Sequence, residues 1–174
     1  LKEQLQATNM NFYQDGDALY IVGGYAFSES LNDHVTFDKL TSIDVPNLID
    51  AVINGTSIVP NFKQITYPIF QNSGGQLGKI GNEFYLIGGQ VFTGRYNPMN
   101  NPTFVQNYVN KVQKFTIDNT GTQLSIANYS FVEDLVHLHR RDYNLVPQVF
   151  PNGEEGYTIS SGVFQINADL PFLY

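Results

Sequence analysis

Apolar residues in this chain come in short runs bounded by turn-forming residues, a grain that predicts strands rather than long helices. Leu19-Tyr20-Ile21-Val22 leads into Gly23-Gly24, and Phe84-Tyr85-Leu86-Ile87 leads into Gly88-Gly89. Three segments align on this pattern without a gap: 16–27, 81–92 and 153–164. In the third, Ser160-Ser161 stands at the glycine pair, and Tyr157 falls level with Tyr20 and Tyr85. The intervals between these tyrosines are 65 and 72 residues. A second register agrees, because 39–45 matches 111–117 at a spacing of 72.

Each unit reads as four short antiparallel strands. The first two are joined at Asp15-Gly16, Asn82 or Asn152-Gly153, residue types that tolerate the positive φ of a tight hairpin. The paired glycines after the second strand allow another chain segment to approach where a Cβ would collide. One helical insertion is expected after the third strand of the first unit. Pro46 opens it, Leu48, Ile49, Val52 and Ile53 share a face, and Asn54-Gly55 closes it. The three recurring tyrosines are expected in the core.

Composition sharpens this picture. Thirteen Phe and eleven Tyr against 14% charged residues suit strands and turns. A formal net charge of −7 opposes binding to nucleic acid, and no membrane insertion is expected. With no Cys, these residues hold no disulfide, thiolate metal site or cysteine nucleophile. The first residues do not form a secretion signal, and both ends look like cuts in a longer protein.

Strand, glycine pair and third strand together resemble the kelch repeat, carried here by 19–24 and 84–89. The resemblance implies an all-β fold, a fragment of a β-propeller with four-stranded antiparallel blades. Blade 1 is expected at about 8–66, blade 2 at about 75–132, and the inner strands of blade 3 at about 143–164. The missing blades of the same protein would be its first partners. The chain departs from the family in lacking the outer-strand Trp, in its longer connections and in losing the third glycine pair. The stretch from His139-Arg140-Arg141-Asp142-Tyr143-Asn144 through Gly162-Val163-Phe164 also resembles secreted kelch proteins of Bacteroidetes with a C-terminal sorting domain. That likeness implies an extracellular or cell-surface location.

Propeller topology would bring the connections between second and third strands, and those between blades, to one face. These are segments 25–38, 67–75, 90–108 and 134–143, and they contain every Arg and every His of the chain. Concentrated guanidinium donors suit a carboxylate, sulfate or other anionic ligand. The candidate ligand-binding residues are Arg95, Tyr96, His139, Arg140, Arg141, Asp142 and Tyr143. Arg141-Asp142 reads equally as an interblade salt bridge, and aromatic residues of the long loop, Tyr96 among them, as pins against the blade. His137-x-His139 has alternate spacing that suits a metal on a strand, but no third ligand accompanies it. No metal and no cofactor are expected.

Two functions follow. The first is a non-catalytic scaffold presenting long loops on one propeller face to a protein or glycan, an anionic ligand being one that the arginines would suit. The second is a carbohydrate-active propeller enzyme. Fold analogy alone offers the copper radical galactose oxidases, which need a Cys absent here, and sialic acid mutarotases, in which His139, Arg140, Arg141 and Arg95 would serve.

Overall fold

The computed structural model describes residues 1–97, 99 and 103–173. Helix α1 (Lys2–Leu5) precedes β1 (Asn11–Asp15) and β2 (Ala18–Val22). A hairpin of β3 (Tyr25–Ser28) and β4 (Asp33–Thr36) then leads to β5 (Lys39–Asp44), α2 (Val45–Ile53) and β6 (Phe62–Thr66). The second unit repeats the order without the helix: β7 (Gln76–Ile80), β8 (Glu83–Ile87), β9 (Gln90–Arg95), β10 (Thr103–Tyr108), β11 (Lys111–Asp118) and β12 (Ser125–Glu133). The third comprises β13 (Arg141–Val149), β14 (Glu155–Gln165) and β15 (Ala168–Pro171).

Strands β1-β2-β5-β6 form one antiparallel sheet, β7-β8-β11-β12 a second, and β13-β14-β15 a third. Their first strands lie together, with β7 touching both β1 and β13. The protein is an all-β, blade-type fold. Its main core fills the space between the first two blades. Phe84 packs edge-on to Tyr13 and Tyr20 of blade 1, at 6.0 and 5.1 Å between ring centroids, and stacks on Phe115 at 6.1 Å. Val22, Leu40, Phe70, Leu77, Leu86 and Leu124 complete the cluster. Removing the Phe84 ring would cost about 3–5 kcal/mol, as expected for a core aromatic.

The helical insertion forms where the sequence places it. Asp44 caps it by accepting from the Asn47 backbone N–H (3.2 Å), Pro46 lies in its first turn, and Gly55 follows at φ +64°. The buried side differs from the expected one. Ala51 is buried and Leu48 half-buried, whereas Ile49, Val52 and Ile53 face outward.

Two further differences matter more. Segments 25–38 and 90–108, expected as loops, are hairpins that join into a fourth sheet of order β3-β4-β9-β10. Residues 98 and 100–102 of the second segment lie outside the described ones. The hairpins meet at a single backbone pair, Val35 with Thr93. Beside it, Thr36 Oγ1 donates to Phe92 O (3.1 Å) and accepts from the Phe92 N–H (2.8 Å), so a hydroxyl replaces the next backbone partner.

The repeat register in the third unit also shifts by one residue. Positive φ falls at Gly23 and Gly24 (65°, 95°), at Gly88 and Gly89 (54°, 86°), and at Ser161 and Gly162 (65°, 99°). The second member of each pair accepts an N–H from just before the next strand or hairpin partner: Phe37 to Gly24, Val109 to Gly89 and Phe172 to Gly162. Ser161-Gly162, rather than Ser160-Ser161, is therefore the third pair. A one-residue shift reverses every side chain. Thr158 takes the place of Tyr20 and Tyr85, and Tyr157 turns toward blade 2, where its hydroxyl donates to Lys79 O (2.9 Å) and accepts from Lys79 N–H (2.8 Å). Its ring lies against Gly78, where a Cβ would come within 2.7 Å. The cause is the longer β13–β14 hairpin, paired from Arg141 with Val163 to Val149 with Glu155, which breaks a count made from the turn.

Candidate functional site

Each unit ties its glycine pair down with a buried polar side chain. Gln4 Nε2 donates to Gly23 O (3.1 Å), Asn72 Nδ2 to Gly88 O (2.7 Å) and an Arg140 terminal N–H to Ser161 O (2.8 Å). These three side chains are 1%, 0% and 3% exposed. A carbonyl turned inward at a positive-φ pair needs such a donor, since a buried acceptor without one costs about 1–3 kcal/mol. The donors differ in type and in approach, Gln4 reaching in from α1. That variety hid the motif from sequence reasoning, for which only the recurring pair was a signal.

This latch removes Arg140 from the ligand-binding set. Its Nε also donates to His137 O (2.6 Å), and its guanidinium lies 3.6 Å from the Phe172 ring centroid. Tyr143 is likewise internal. It is buried against Gly88 and donates from its hydroxyl to Ile87 O at 2.5 Å, and burial holds its phenol far above the ordinary value. Asp142 is exposed and left-handed at φ 57°, as Asn9 (55°) and Gly74 (66°) are in the other units. Its carboxylate lies 3.7 Å from Arg141 Nε, a contact between chain neighbours rather than between blades.

Arg141 is different. Its guanidinium sits 4.4 Å above the Phe164 ring, its Nε has no hydrogen-bond acceptor, and its side chain keeps 23% exposure. It lines a cleft of about 470 Å³ with Gln106, Tyr108, His139, Gln165, Asn167 and Asp169. Tyr108 and His139 stack at 3.9 Å between ring centroids. His139 Nδ1 lies 2.8 Å from Phe164 O, so it carries the proton and leaves Nε2 as the ring's other hydrogen-bonding atom. Burial holds the Tyr108 phenol above its usual range, against the opposing pull of Arg141.

The cleft lies where β10 meets the turn between β14 and β15. The sequence-predicted residues thus do not form one cluster. His139 and Arg141 converge on the cleft. Tyr96 stands near Arg141 on another side, edge-on to Phe92 (5.7 Å) and tilted against Phe104 (4.9 Å), with its N–H donated to Tyr25 Oη (2.8 Å). Arg95 is exposed at the end of β9 and lines neither space. His137 lies in a turn, paired with Asp134 at 2.8 Å, so the strand alternation with His139 does not arise. Among the described residues no group of three His, Cys, Asp or Glu could hold a metal ion. No described helix is long and apolar enough to cross a membrane.

What fold and site define together is an all-β protein of packed antiparallel sheets, two of them four-stranded blades, with a polar, arginine-bearing cleft between two hairpins. No protein-family model matches the chain, and no curated protein matches its sequence.

Proposed function

We propose that the chain belongs to a kelch-type propeller and acts as a binding module for an acidic glycan, taken at the Arg141 cleft. The observation that carries this is a guanidinium held by an aromatic face, its Nε without a hydrogen-bond acceptor among the described residues, in a cleft lined also by amides, an imidazole, a phenol and the single carboxylate of Asp169. Guanidinium offers two parallel donors to a carboxylate. Stacked Tyr108 and His139 present aromatic surface to a sugar, while Gln106, Gln165, Asn167 and Asp169 can exchange hydrogen bonds with its hydroxyls. The kelch reading draws on the recurring positive-φ pair and its latch. An extracellular or cell-surface setting follows from the resemblance and suits such a ligand.

Isothermal titration with D-glucuronate and D-glucose tests the proposal. Glucuronate should bind the wild-type chain and glucose should not, and Arg141→Ala should remove binding without unfolding the protein. Equal binding of the two sugars, or full binding by the variant, would overturn it. If glucuronate is turned over rather than bound, the carbohydrate-active enzyme replaces the scaffold.

A further inference from the structure

Arg141 separates two spaces of opposite character. On one side is the polar cleft; on the other is a smaller cavity of about 200 Å³ lined by Thr8, Asn9, Tyr25, Phe92, Tyr96 and Arg141. Its aromatic walls are mutually braced. Tyr25 and Phe92 lie 5.5 Å apart, Phe92 and Tyr96 5.7 Å, and Tyr25 donates from its hydroxyl to Gly94 O (2.6 Å) while accepting the Tyr96 N–H. The hydroxyl is thereby engaged by backbone. Aromatic walls alone would suit a cation, but a guanidinium at the same cavity repels one. An apolar or aromatic group attached to an anion satisfies both conditions.

Resting on the acidic-glycan reading above, we infer that the ligand carries two unlike parts beside its carboxylate: a hydroxylated ring in the polar cleft and, attached to that ring, an aryl or similarly sized apolar substituent in the Tyr25–Phe92–Tyr96 cavity. Neither space alone specifies this; their shared arginine does. The cavity volume holds a single six-membered ring, and burying one between aromatic walls contributes about 1.5 kcal/mol or more, roughly a tenfold gain in affinity.

The test compares three probes by titration: D-glucuronate, phenyl β-D-glucuronide and phenyl β-D-glucopyranoside. Phenyl glucuronide should bind about tenfold more tightly than glucuronate, and the uncharged glucoside should bind least. Tyr96→Ala should erase the phenyl advantage while leaving glucuronate affinity unchanged, with Tyr96→Leu as a second variant that keeps the site apolar. If glucuronate and its phenyl derivative bind equally to the wild type, or if the advantage survives in Tyr96→Ala, the two-armed ligand is wrong while the acidic-glycan reading stands. If no carboxylate probe binds, both fall.

Discussion

Successive hairpins meet twice in this protein, and the two meetings are built differently. Between units one and two, β4 pairs with β9 at Val35 and Thr93, and Thr36 seals the next position with two hydrogen bonds to Phe92. Between units two and three, β10 forms the edge of its sheet, and the space beside it is the 470 Å³ cleft. The same supersecondary element therefore closes one junction and opens the next. Adjacent arginines divide along the same line. Arg140 is engaged by the fold, as Gln4 and Asn72 are in the other units, whereas Arg141 at the opened junction has an Nε without a hydrogen-bond acceptor.

The largest effect should separate the two arginines. Arg140→Ala deprives Ser161 O and His137 O of buried donors and leaves a void, so a loss of about 2–4 kcal/mol is expected in urea unfolding. Arg141→Ala loses the packing on the Phe164 ring and should cost about 1 kcal/mol or less. Similar losses from both would erase the distinction.

At the closed junction, Thr36→Val keeps the side-chain shape and leaves the Phe92 backbone N–H and C=O without their partner. A loss of about 2 kcal/mol is expected by the same measurement, together with faster hydrogen exchange in 90–95. Carbohydrate affinity at the open junction should not move.

Tyr143 gives the second and third blades a pH dependence. Its pKa in the folded protein is raised by burial above the unfolded value of about 10, so its contribution is complete below that pH and is lost as pH rises beyond it. Stability should therefore fall above about pH 10, and Tyr143→Phe should make that decline shallower while costing about 1 kcal/mol at neutral pH. Burial also raises Tyr13, Tyr20, Tyr25, Tyr85, Tyr108 and Tyr129, so the slope should be reduced rather than abolished.

The smallest effect tests the register. Ser161 has φ +65°, which costs a non-glycine residue about 1 kcal/mol. Ser161→Gly should raise stability by up to that amount. Ser160→Gly, in extended backbone paired with Asn144, should lower it slightly. The reverse result would restore the register read from the gap-free alignment.

Much of the fold was legible because strand grain, turn dipeptides and the first two glycine pairs are local signals. The helix was equally local, carried by Pro46 and Asn54-Gly55, although the side it buries was not. The third pair was misplaced because Tyr157 offered an attractive match while the lengthened hairpin hid the one-residue shift. The fourth sheet was illegible for another reason: β4 and β9 are far apart in sequence and share a single backbone pair, so neither hairpin announces its partner. Of the candidate residues, His139 and Arg141 are brought together at one cleft, whereas Arg140 and Tyr143 are internal. Which arginine faces inward depends on the latch at Ser161, and no spacing rule links Gln4, Asn72 and Arg140.

The claim that the open junction is the ligand site is tested most directly by following D-glucuronate titration in amide-resolved NMR spectra. Saturable shifts should appear at Gln106, Tyr108, His139, Arg141 and Gln165, with Val35 and Thr93 at the closed junction unmoved. Shifts confined to other surfaces, or saturable shifts at the closed junction with none at Arg141, would contradict it.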